Sequence, residues 1–282
     1  MRVEQAGFNA IHVSDPSEKD QREFSFSWLG AAMQSSKIPF TVACTPNLRY
    51  GLPNIAREMA TIGELFPGRF DLALSRTPEF EEEEGKKNIS IPPIEETASF
   101  IRKVLEGKQI YYDDGRINDK VKVHSSPKIP TLLFFETASP EEAKMSAKWS
   151  DGLIVDADDT NIAYEAIEKF RENGGANKSF SIRLTFSYGD NPESAIETSN
   201  LNANEFIQPQ KAGDEKPPEE KKENRGKFKV LTSIADLLQW IEPFRKLEVS
   251  RIILKNVNAD QDLFITAYGQ FHDSYKAVAA VD

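Results

Sequence analysis

The sequence predicts an α/β protein: a mainly parallel sheet with helices packed outside it. Two patterns carry this expectation. Seven short apolar runs rich in β-forming residues recur along the 282 residues. Between most of them lie stretches with apolar residues at helical spacing, several opening on a proline at a first-turn position. A helix between two strands returns the chain to the same end of the sheet, so the alternation implies parallel pairing. With 39% hydrophobic residues the chain can bury a substantial core.

In order, the reading gives a strand over Asn9–Ser14 (NAIHVS), a helix over Phe24–Ser35, a strand over Pro39–Cys44 (PFTVAC) and a helix over Pro53–Phe66. A strand over Phe70–Ser75 (FDLALS) and a helix from Pro92 to Glu106 follow. Gln109–Val123 carries Asp-Asp-Gly between alternating runs and reads as an excursion hairpin. Next come a strand over Thr131–Phe135 (TLLFF), a helix over Pro140–Trp149, a strand over Gly152–Asp156 (GLIVD) and a helix over Asn161–Asn173. Phe180–Tyr188 is a strand, Pro192–Asn204 a helix, and Arg251–Lys255 (RIILK) the last strand. Residues 208–226 (QPQKAGDEKPPEEKKENRG) contain almost no apolar side chains and read as a mobile, charged insertion ahead of the last βα units, or alternatively as a domain linker.

Composition narrows the function. The single Cys44 excludes an intramolecular disulfide framework. There is no N-terminal apolar run and no run of eighteen apolar residues, so neither secretion nor a membrane span is expected, and the default location is the cytoplasm. A net charge of −10 without a basic, aromatic-interleaved stripe argues against nucleic acid. No P-loop or paired-cysteine zinc spacing occurs, and His12, His124 and His272 are scattered. Asp156, Asp158 and Asp159 lack the glycine and terminal glutamate of a calcium loop, so no metal is expected.

GFNAIHVSD, FSFSWLGAAMQSS, TPNLRYGLPNIAREMATIGELFPGRFDLAL, AKWSDGLIV, SIRLTFSYGDNPESA and NADQDLF together resemble the bacterial-luciferase-like superfamily of flavin- and deazaflavin-dependent oxidoreductases. Within it the chain is most similar to the branch of glucose-6-phosphate dehydrogenases that use coenzyme F420. The resemblance implies one (β/α)8 TIM-barrel-like domain over residues 1–282, with its site at the carboxyl ends of the strands. Against that pattern the chain begins near the end of the first helix, so the first strand has no counterpart. An open barrel exposes two edges, which a partner chain, a rearranged closure or a longer gene start would have to fill. The resemblance therefore implies a homo- or hetero-oligomer, with Phe24–Ser35 and Pro53–Phe66 apolar enough to offer interface faces.

Residue by residue, the resemblance makes Asp15 a cofactor-contacting carboxylate, although a turn cap explains it equally well. Pro16 stands where the family has a histidine, and proline has neither a titratable group nor an N–H. His12 reads as a packed or outward-facing strand residue. A cis peptide at Val42–Ala43 would form a bulge behind the coenzyme ring, with Thr45 facing substrate or capping the next turn. Cys44 reads as a small buried apolar residue. The family's site acid falls on Pro78 in Ser75-Arg76-Thr77-Pro78, leaving Glu79 as a candidate acid only if the loop shifts by one. Ala138 and Ser139 would offer backbone donors to the coenzyme's anionic tail. The same residues also read as a capping box of Ser139, Pro140 and Glu142. Asp156 and Asp159 occupy positions that hold the sugar phosphate in the family, and two carboxylates repel a dianion, which argues against glucose 6-phosphate. Lys227 lies near a basic phosphate position. Two functions fit: hydride transfer between a small organic substrate and F420, or alternatively FMN; or a non-catalytic paralogue without cofactor, serving as a structural or interaction subunit.

Overall fold

A computed structural model describes residues 2–14, 25–45, 51–75, 93–113, 118–206 and 228–279. Along the chain the elements are α1 (Arg2–Gln5), β1 (Ile11–Ser14), α2 (Ser25–Gln34), β2 (Phe40–Cys44), α3 (Leu52–Leu65), β3 (Phe70–Ser75) and α4 (Ile94–Leu105). They continue as β4 (Ile110–Asp113), β5 (Asn118–Val121), β6 (Leu133–Thr137), α5 (Pro140–Ser146), β7 (Gly152–Asp156) and α6 (Thr160–Phe170). The last are β8 (Ser179–Tyr188), α7 (Pro192–Phe206), β9 (Lys229–Leu231), α8 (Ile234–Arg245), β10 (Arg251–Asn256) and α9 (Gln261–Ala279). The chain divides into two compact units, a larger one of residues 9–156 and 161–180 and a smaller one of 1–8, 157–160 and 181–282.

In the larger unit the strands run parallel in the order β1-β2-β3-β6-β7. One set of alternating side chains, including Phe40, Val42, Cys44, Phe70, Leu72, Leu74 and Leu133, joins a single apolar cluster with Leu29 and Met33 of α2, Ile55 and Met59 of α3, and Ile101 and Val104 of α4. That set is the helix-facing side of the sheet. The buried positions of α3 recur at helical spacing (Leu52, Ile55, Ala56, Met59, Ala60, Ile62, Gly63), and the helix opens on Gly51 with Pro53 in its first turn. Arg69 closes the far end of α2, its Nη2 donating to the carbonyls of Met33, Ser36 and Ile38. The expected hairpin is present: β4 and β5 pair antiparallel, and Arg57 of α3 holds Asp119 at 2.8 Å.

One boundary differs instructively. The strand expected over Thr131–Phe135 runs instead from Leu133 to Thr137. Glu136 and Thr137 stay in the ladder because partners flank them: Glu136 lies between Ser75 and Ile154, and Thr137 beside Val155. Charge had marked an end where backbone pairing continues.

In the smaller unit β8 pairs in parallel with β9 on one side and β10 on the other. Phe186, Tyr188, Leu231, Leu237 and Phe264 form its core. Phe8 stacks on Tyr268 at 4.3 Å, and Gly7, at φ +91°, leaves room for the His272 ring, which a Cβ would strike at 2.4 Å. The short strand β9 was not expected from the sequence. The charged insertion of residues 208–226 lies outside the described residues.

Candidate functional site

The second set of alternating side chains in the larger unit is mostly small or polar, with Phe134 and Ile154 as its large apolar members. Register places His12, Thr41 and Asp71 at one level, Ala43, Ala73, Phe134 and Gly152 at the next, and Ser75, Glu136 and Ile154 above them. Gly152 is required there, because a Cβ would lie 2.4 Å from the Phe134 ring. Five parallel strands thus carry an apolar side toward the helices and a largely polar side away from them.

His12 Nε2 lies 3.0 Å from Glu136 Oε2, and each side chain is 7% exposed. The two residues are three strand steps apart, and Asp71, level with His12, is four positions below Ser75, level with Glu136. On a flat sheet that separation would be about 14 Å across and about 13 Å along the strands. Side chains can meet over it only if the sheet curls toward its polar side. The ratio of the two distances corresponds to an inclination of roughly 40°, the strand tilt of closed barrels. His12 is therefore packed, as one of its expected alternatives had it, but it points inward and is paired. The sequence did contain a signal for the pair: Glu136 follows four apolar residues in a strand flanked on both sides, so its carboxylate needed a polar face.

Nearer the strand ends, Thr45 Oγ1 and Ser75 Oγ share a hydrogen bond of 2.9 Å. Both residues are half-buried. Ala43 sits on the same side as Ser75, one level deeper. Val42 does not: its side chain is wholly buried in the helix-facing cluster. The bulge expected at Val42–Ala43 is absent, and the peptide is trans. Val42 pairs with Val13 and Leu72, and Ala43 with Ser14 and Ala73, so the ladder is regular through this point. Cys44 is buried as expected.

At the end of β6 the capping alternative for Ser139 is realised. Ser139 Oγ accepts the Glu142 N–H at 3.4 Å, Thr137 Oγ1 accepts the Ser139 N–H at 2.9 Å, and the Thr137 hydroxyl donates to the Glu142 carboxylate. Glu141 in the same turn hydrogen-bonds Lys169, which holds its carboxyl below the usual carboxylate range. Of the donors expected to meet an anionic tail at Ala138 and Ser139, the Ser139 N–H is thus already engaged, beside two carboxylates. Against a flavin-like coenzyme the fit is divided. Thr45 and Ser75, neutral groups that both donate and accept, suit ring carbonyls and ring N–H groups, whereas the start of α5 does not suit a phosphate.

Asp156 ends β7 on the polar side. Asp15, Glu79 and Lys227, together with Pro16 and Pro78, lie outside the described residues. Among the described residues no group of three or more metal-ligating side chains occurs, and no helix is long and apolar enough to cross a membrane.

Parallel strands that gather polar groups on the side away from their helices, toward the carboxyl ends, define the class of α/β barrel proteins that place chemistry at that end. The chain belongs to the luciferase-like monooxygenase family, whose model matches residues 1–245. It is similar to the F420-dependent glucose-6-phosphate dehydrogenase of Beutenbergia cavernae, at 22% identity over 95% of this chain and 89% of that protein. It is also similar to the F420-dependent hydroxymycolic acid dehydrogenase of Mycobacterium tuberculosis, at 28% identity over 57% of this chain, and spans about half of that protein's length, 48%. A solved F420-dependent secondary alcohol dehydrogenase, in complex with an F420-acetone adduct, superposes with a TM-score of 0.72 at 20% identity, covering 95% of this chain and 91% of that one. The fold is accordingly α/β, of the luciferase-like, TIM-barrel-like kind.

Proposed function

We propose that the protein is an oxidoreductase that exchanges a hydride between coenzyme F420 and a small, uncharged organic substrate. The observation that carries this reading is the polar inner side of the larger unit, where the Thr45–Ser75 hydroxyl pair is level with Glu136 and the partner of Glu136, His12, lies deeper, in a chain of the luciferase-like monooxygenase family. The coenzyme would supply the two-electron acceptor, and Thr45 and Ser75, with Ala43, would hold its ring; Asp15 belongs to the same proposal. Lys227 is proposed as a substrate-side group and Glu79 as a candidate acid, and residues 1–282 are read as one domain with 208–226 as an insertion. Glucose 6-phosphate is not the proposed substrate, because Asp156 adds negative charge on the face where a phosphate would have to sit.

Titration of the purified protein with F420 and with FMN, followed by fluorescence quenching, tests the reading. Micromolar binding of F420, with no turnover of glucose 6-phosphate, is the expected result. FMN binding in its place would redirect the cofactor, and no binding of either at several hundred micromolar would defeat the enzyme reading. The engaged start of α5 favours a second reading, an interaction subunit that has lost its anion site, which that last outcome would support. Both readings include self-association or association with a related chain. Light scattering should give a mass above that of one chain, and a stable monomer across a dilution series would refute association.

A further inference from the structure

We propose that His12 is the acid–base residue of this site and that Glu136 positions it. Its substrate, a small neutral alcohol or carbonyl compound, rests on the oxidoreductase reading above. A carboxylate only accepts hydrogen bonds, so with Glu136 ionised the Nε2 atom of His12 carries the proton and Nδ1 is left with its lone pair. A hydroxyl bound against that lone pair loses its proton to it: the O–H bond breaks, the Nδ1–H bond forms, and the imidazolium charge is compensated by the carboxylate 3.0 Å from Nε2. The reverse transfer returns the proton to an oxygen formed from a carbonyl group.

Burial makes the pair a purposeful arrangement. A buried hydrogen-bonded pair gains little net stability over apolar side chains of the same volume, so packing alone does not account for its presence on this face. Within the larger unit, the other charged side chains on the polar side of the described strands are Asp71, level with His12, and Asp156, at the end of β7. Both are acidic, so the charges on this side of the larger unit favour a transient imidazolium.

The test uses the full chain with F420 and isopropanol, and compares wild type with His12→Ala, Glu136→Gln and Glu136→Asp. His12→Ala should lower kcat by about 10²–10³-fold with KM and F420 affinity within threefold, and added imidazole should restore at least tenfold of it. Glu136→Gln should also lower kcat, and Glu136→Asp should recover part of the loss. A His12→Ala enzyme within threefold of wild type, or a loss that imidazole does not restore, overturns the proposal. The chain has three histidines, so the His12 ring signals can be assigned by nitrogen NMR through their absence in His12→Ala. The Nε2 proton should exchange at least tenfold more slowly in wild type than in Glu136→Gln. If neither coenzyme binds, the oxidoreductase reading fails and this exchange measurement decides the pair: slower exchange in wild type supports it, and equal exchange overturns it.

Discussion

Replacing Phe170 by alanine is expected to lower the unfolding free energy by about 3–5 kcal/mol, seen as a lower urea midpoint with an unchanged slope. Phe170 is completely buried at the end of α6, edge-on to Phe180 at 5.9 Å. The chain then turns back over its ring through Arg171–Gly175, with Gly174 at φ +113°. Lys178, which donates to the carbonyls of Ala147 and Ser150, lies 5.9 Å from the ring centre. Removal of the ring thus empties the inside of a tight turn whose backbone is committed elsewhere, and the space cannot easily collapse. Gly175 sharpens the expectation, because a Cβ there would lie 2.1 Å from the Phe170 ring and 2.7 Å from the Phe170 carbonyl oxygen. Gly175→Ala should therefore remain destabilising even beside Phe170→Ala, since the backbone clash survives the loss of the ring. A midpoint for Phe170→Ala equal to wild type would show that the turn repacks.

The second large effect is an asymmetry between single and double replacement of the inner pair. His12→Leu alone should cost about 3 kcal/mol, because it removes the imidazole from a carboxylate that is 7% exposed. His12→Leu together with Glu136→Leu should return to within about 1 kcal/mol of wild type, since neither side chain then needs a partner. Thermal and urea unfolding of the three variants measure both quantities. A single variant as stable as wild type would contradict the pairing. A double variant as unstable as the single would mean that volume, rather than charge, sets the loss.

Much of the larger unit could be read from periodicity, because its strands bury a continuous apolar side against helices and the runs that do so are unbroken. Phe70–Ser75 and Gly152–Asp156 have their expected bounds. The boundary error at β6 came from treating Glu136 as a stop signal, although its backbone groups are paired on either side. The same residue explains why the pair was missed: His12 and Glu136 are 124 positions apart, and only sheet curvature brings them together. Capping at Ser139 was legible, because a hydroxyl, a proline and a glutamate at fixed spacing need only local backbone to form. The expected bulge at Val42–Ala43 came from likeness to other proteins, and the regular pairing of both residues with their neighbours replaced it.

Alternation along these strands separates two kinds of inheritance. Residues that hold the helices to the sheet and residues that face inward are interleaved on one backbone, yet each group changes without disturbing the packing of the other. A lineage can exchange inward groups such as Thr45 or Ser75 one at a time while its frame stays intact, so new substrate preferences are reachable by single steps through folded proteins.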